Sequence, residues 1–90
     1  TGLSVAANDR YFIDTTAGAQ TATLPVSPQA GDQVRFIDLA GTFDTNNLTI
    51  ARNGKKINNV ASDLTVSTED SGIGLVFTGD TYGWKLIEVL

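Results

Sequence analysis

Gly31-Asp32-Gln33-Val34-Arg35-Phe36-Ile37-Asp38-Leu39 opens on turn chemistry and continues as extended chain. Glycine supplies positive φ, and aspartate supplies a side-chain oxygen for nearby backbone N–H groups, so the pair restarts the chain after a loop. Residues 33–39 then read as a strand. Successive side chains of a strand point to opposite faces. Val34 and Phe36 therefore point one way, and Ile37 and Leu39 the other. A helix would need apolar residues recurring at i, i+3, i+4 and i+7, and no segment of this chain sustains that repeat.

The same reading extends along the chain in both directions. Candidate strands cover residues 10–14, 21–24, 33–39, 48–52, 64–67, 73–78 and 82–89. Between them lie Ala17-Gly18, the stretch from Pro25 to Asp32, Gly41-Thr42, Asn53-Gly54, the stretch from Glu69 to Gly72, and Gly79-Asp80. Asn53-Gly54 suits the two positive φ values of a type I′ hairpin turn, which would return the chain as a short strand around Lys56-Ile57. The prolines in Leu24-Pro25-Val26-Ser27-Pro28 lack an N–H and cannot continue a ladder. That stretch reads as a loop leaving an edge strand. Short strands punctuated by turn residues predict an all-β fold, a small antiparallel β-sandwich or partly open barrel of about seven strands. Residues 1–9 read as an N-terminal lead-in and 10–90 as a single module. The abrupt start at Thr1-Gly2-Leu3 suggests a piece of something larger.

An isolated two-layer sheet protein leaves one face of each strand polar. Here Tyr11 and Ile13 oppose Phe12, while Ile73, Leu75 and Phe77 oppose Val76. Trp84 and Leu86 likewise oppose Ile87 and Val89. Two readings account for strands that are apolar on both sides. Either apolar residues cluster locally at strand ends or under loops folded over an outer face, or the outer face packs against another copy or an adjacent domain. The second marks Phe12, Ile37, Val76, Ile87 and Val89 as an interface.

Bulk composition narrows the chemistry. Ninety residues hold one core and bury only about 60–65% of the unfolded surface, so stability alone is marginal. Small domains compensate with disulfides, metals or oligomerisation. Cysteine and histidine are both absent. Their absence removes thiolate chemistry, imidazole ligands and the triads built on them. Oligomerisation or neighbouring domains remain. A net charge of −4, with six scattered Lys and Arg residues, argues against nucleic acid. No apolar run approaches the roughly 18 residues of a membrane-spanning helix.

Asp9, Asp14, Asp32, Asp38, Asp44, Asp63, Asp70 and Asp80 fall at strand ends and turns, where aspartate has ordinary structural work. Nothing pairs two of them as glycoside hydrolysis requires. Asp44-Thr45-Asn46-Asn47 offers oxygens for calcium but lacks the alternating ligands and glycine of a calcium loop. Asn47-Leu48-Thr49 matches a glycosylation sequon at a strand start. Lys55 and Lys56 follow a turn, where exposed lysines are ordinary. Tyr82 and Trp84 could stack on a sugar, although a lone Trp on a strand more often anchors a core. No nucleophile elbow or Ser-x-x-Lys pair is present. The chain reads as a non-enzyme with no metal and no cofactor.

One ordered set of segments resembles a known module. It runs through Tyr11-Phe12-Ile13-Asp14-Thr15, Thr21-Ala22-Thr23-Leu24-Pro25-Val26-Ser27-Pro28 and Gly31-Asp32-Gln33-Val34-Arg35-Phe36-Ile37-Asp38. It continues through Asn46-Asn47-Leu48-Thr49-Ile50-Ala51-Arg52-Asn53-Gly54-Lys55-Lys56-Ile57 and Asp63-Leu64-Thr65-Val66, closing on Leu75-Val76-Phe77 and Gly83-Trp84-Lys85-Leu86. This order resembles a β-module of bacteriophage tail fibres, tailspikes and baseplate-associated fibre proteins. The resemblance implies a repeated structural domain that assembles as a homotrimer on a virion tail appendage. Such a domain serves as a spacer, attachment collar or docking site for adjacent domains or other tail proteins. The alternative from another class is a carbohydrate-binding module in which Tyr82, Trp84 and the Asn-rich loop contact a host glycan.

Overall fold

The computed structural model describes residues 2–89, which form eight strands and no helix. These are β1 (Gly2–Ser4), β2 (Arg10–Ile13), β3 (Gln20–Thr23), β4 (Gln33–Asp38), β5 (Leu48–Ala51), β6 (Leu64–Val66), β7 (Gly72–Phe77) and β8 (Trp84–Val89). Two four-stranded sheets result, ordered β1-β3-β5-β6 and β2-β4-β7-β8. The seven expected strands are present with slightly shifted ends. The eighth, β1, lies within the stretch expected as a lead-in, where it pairs with β3 and precedes the buried Val5.

The expected antiparallel arrangement is corrected to a mixed one. β1, β3 and β5 run parallel, as do β2 and β4, whereas β5–β6, β4–β7 and β7–β8 are antiparallel. The reason lies in the connections. From β1 to β5 the chain changes sheet at every loop and reverses direction each time, so alternate strands enter the same sheet running the same way. Parallel neighbours need a crossover between them, and here the crossover is a strand of the opposite sheet.

The Asn53-Gly54 turn forms, but not the hairpin expected from it. Asn53 and Gly54 have φ of 51° and 89°, and the Lys55 N–H donates to the Arg52 carbonyl at 3.3 Å. The Asn53 amide ties the turn back to the Leu24 carbonyl at 2.9 Å. Both sides of β5 are already occupied, by β3 and β6. The returning chain therefore crosses to the other sheet, where Ile57 bridges Trp84 and Val60. Similarly, the proline loop leaves β3, which is internal rather than an edge because β1 covers it.

The two sheets share one core. Val34, Phe36, Ile73, Leu75, Phe77 and Trp84 of the second sheet meet Ala22, Leu48, Ile50 and Val66 of the first. Burying each large apolar side chain contributes roughly 1.5–3 kcal/mol. Trp84 is fully buried, its ring 5.3 Å from that of Phe77. Gly83 makes this possible. Its φ is +77°, and a Cβ there would overlap the Lys56 carbonyl, which accepts the Trp84 N–H at 2.8 Å.

Candidate functional site

The β4 alternation positions the outer face of the second sheet. Val34, Phe36 and Asp38 turn inward, which leaves Arg35 and Ile37 outside. β2 lies beside β4 in parallel register, so Phe12 sits next to Ile37 and Arg10 next to Arg35. Phe12 is 72% exposed, whereas its neighbour Ile13 is buried and Tyr11 packs against the core. Ile37 and Ile87 are 43% and 39% exposed.

The five expected interface residues do not form one continuous strip. Phe12 and Ile37 adjoin, while Val76 is half-buried between Gln33 of β4 and Lys85 of β8. A bulge in β8 puts Leu86 opposite Leu75 and Glu88 opposite Gly74. Ile87 becomes the extra residue and lies over Gly74, where a Cβ would come within 3.0 Å of both the Ile87 and Arg35 side chains. Val89 pairs with Ile73 through its backbone, and its side chain lies outside the described part of the structure.

The outer face of the first sheet has a different character. Thr21, Thr49 and Thr65 stand in register across β3, β5 and β6, with Thr23 beside Ala51. Hydroxyl and methyl groups cover that side, and the large exposed apolar groups that are carried on strands, Phe12, Ile37 and Ile87, belong to the second sheet. The candidate contact face is therefore the second sheet's, from Phe12 and Ile37 across to Ile87.

The candidate glycan contacts separate. Trp84 is a core residue and cannot present a ring to a sugar, so its place as a possible contact is corrected. Its indole Nε1 is buried without a hydrogen-bond partner. Tyr82 is 57% exposed, but the Lys85 ammonium lies 5.8 Å from its ring centroid, held by the Asn59 side-chain oxygen at 2.7 Å. Of the two candidate glycan contacts, Tyr82 alone keeps its ring at the surface.

Several of the aspartates tie turns and neighbouring segments together. Asp14 accepts the Thr16 N–H at 2.9 Å, Asp32 the Gln29 N–H at 2.9 Å and Asp63 the Arg52 N–H at 2.9 Å. Hydrogen bonds from the Thr16 side chain and backbone hold the Asp14 carboxyl below its ordinary value. Asp80 pairs with Lys55 at 2.8 Å. Asn46, in the loop that offers oxygens for calcium, instead donates its amide to the Thr15 carbonyl at 2.8 Å.

Asp38 stands apart. Its buried carboxylate accepts four backbone N–H groups. Gly41 and Thr42 donate to Oδ1 at 3.0 and 3.1 Å, and Phe43 and Asp70 donate to Oδ2 at 3.0 and 2.9 Å. Burial alone would raise its pKa, but these bonds outweigh it and hold the carboxyl below its ordinary value. The alternation that turns Val34 and Phe36 inward turns Asp38 inward too, so the signal for its burial lies in the strand pattern and not in its place at the strand end.

Compared with protein-family models and with curated proteins, the chain matches none of them.

Proposed function

We propose that this chain is a structural and assembly module of a tailed-phage fibre or tailspike, working in a homotrimer as a spacer or docking domain. The observation that carries the reading is the outer face of the second sheet, where Phe12 stands 72% exposed beside a 43% exposed Ile37. A solvated sheet face in a small domain is ordinarily polar. Adjacent exposed apolar side chains at a sheet surface support the reading of a contact with protein. The ordered resemblance of the sequence to phage appendage modules supplies the setting, and the absence of Cys and His leaves oligomerisation as the means of support. On this reading the chain itself carries no catalysis.

The test has two parts. Sedimentation of the purified chain at high concentration is expected to give a species of three copies. Gold-labelled antibody against the chain is expected to decorate the tail appendages of virions that carry the sequence. Label confined to the capsid, or absent from virions, would overturn the reading. Carbohydrate binding is the weaker reading because Trp84 is buried. A host polysaccharide that perturbs Tyr82 resonances at micromolar concentration would restore it.

A further inference from the structure

Two features at opposite edges of the module fit one another. Phe12 projects from β2, an outer strand of the second sheet. At the other side, β6 and β8 are the outer strands of their sheets, and an apolar groove of ≈ 260 Å³ opens between them. Leu64, Val66, Ile73 and Leu86 line it, together with Thr68 and Ser71. A cavity of about 150 Å³ with aliphatic walls accommodates benzene, so this groove has room for a phenyl ring.

Charge follows the same pairing. Arg10 lies two residues before Phe12 on the same face and is exposed. Glu69 and Asp70 follow Thr68 at the groove and are also exposed. Arg10 and Glu69 make no ion pair among the described residues.

We propose that Phe12 of one copy inserts into the Leu64–Val66–Ile73–Leu86 groove of the next, with Arg10 facing that copy's Glu69 and Asp70. An exposed apolar knob and a complementary pocket elsewhere on the same molecule make a head-to-tail contact, which closes into a ring or propagates. The inference rests on the reading of the chain as a self-assembling fibre module, and it names the two surfaces that would meet.

The chain lacks cysteine, so an engineered thiol is unique. Asp14→Cys lies beside the knob and Thr68→Cys beside the groove, both at exposed positions. An equimolar mixture of the two single variants, treated with a short bifunctional maleimide, is expected to give several times more covalent dimer than either alone. Adding Phe12→Asp to the Asp14→Cys chain is expected to abolish the product without lowering the melting temperature, because Phe12 contributes little to the core. Equal cross-linking of Asp14→Cys with itself, or no excess in the mixture, overturns the head-to-tail contact. A double variant carrying both cysteines separates this failure from that of the trimer. Products ending at three copies support both readings. A ladder beyond three supports the contact and overturns the trimer. A trimer by sedimentation without the cross-link overturns the contact alone.

Discussion

The carboxylate of Asp38 accepts the backbone N–H of Asp70 at 2.9 Å, joining segments 32 residues apart in the chain. The same carboxylate holds Gly41, Thr42 and Phe43. One side chain thus fixes both the loop after β4 and the turn before β7, at the end of the sheet where Phe12 and Ile37 stand. Phe43, fully buried, is brought into the core by this bond.

Asp38→Asn is expected to be strongly destabilising. The amide offers one acceptor oxygen in place of two and turns an NH2 group toward N–H donors. Leaving buried donors unsatisfied costs about 1–3 kcal/mol each, so a loss of about 3 kcal/mol or more is expected. For a domain of this size that lowers the melting temperature by more than about 10 °C. Thermal denaturation followed by circular dichroism measures it, and a shift of only a degree or two would sink the assignment.

Acid should act through the same group. The folded pKa of Asp38 is lowered, so its contribution is fully present above the unfolded carboxylate value, about 3.9. The contribution is lost as pH falls through the lower folded value. The melting temperature should hold from neutral pH to about 5 and fall steeply below about 4. Asp38→Asn should have a flatter profile over that acid range. Parallel profiles for the parent and the variant would show that other groups govern the acid transition.

What could be read in the sequence was local. Alternation placed Val34 and Phe36 inside and Phe12 and Ile37 outside, and the Asn53-Gly54 turn adopted its positive φ values. What could not be read depends on partners far along the chain. The strand that pairs with β5 is decided by β3 and β6 occupying its two sides, which overrode the local hairpin. The parallel pairs follow from loops that cross between sheets. Ile87 owes its position over Gly74 to a bulge set by pairing with β7. The candidate face was legible as a set of residues. Its division into patches was not, because Val76 comes to lie between Gln33 and Lys85 only through the register of β7 with β4 and β8.

Trp84 should respond differently to two truncations. Trp84→Ala empties the centre of the core and is expected to cost about 3–5 kcal/mol. Trp84→Phe leaves a smaller void and removes the buried Nε1 that has no hydrogen-bond partner. An unsatisfied buried donor costs about 1–3 kcal/mol, so its removal offsets much of the lost packing. The Phe variant should therefore remain within about 2 kcal/mol of the parent in urea titrations. A cost equal to that of the Ala variant would mean that the indole N–H is satisfied in solution.

Gly83 offers the sharpest test of how the core Trp is seated. Its φ of +77° is open to glycine and strained for other residues, and the Lys56 carbonyl occupies the space a Cβ would need. Gly83→Ala must therefore push the Lys56–Ile57 segment away from β8 and break the Trp84 N–H bond to Lys56. Ile57, 4% exposed, would be drawn out of the core with it. The expected loss is about 2–4 kcal/mol, combining backbone strain with displaced packing. Because Trp84 is the sole tryptophan, its fluorescence reports the site directly. Gly83→Ala should shift the emission to longer wavelength and admit a quencher, whereas Gly79→Ala, which meets no atom within 4 Å, should leave emission unchanged while its own φ of +120° costs stability. Identical spectra for both variants would mean that the Lys56 approach does not seal the Trp84 pocket.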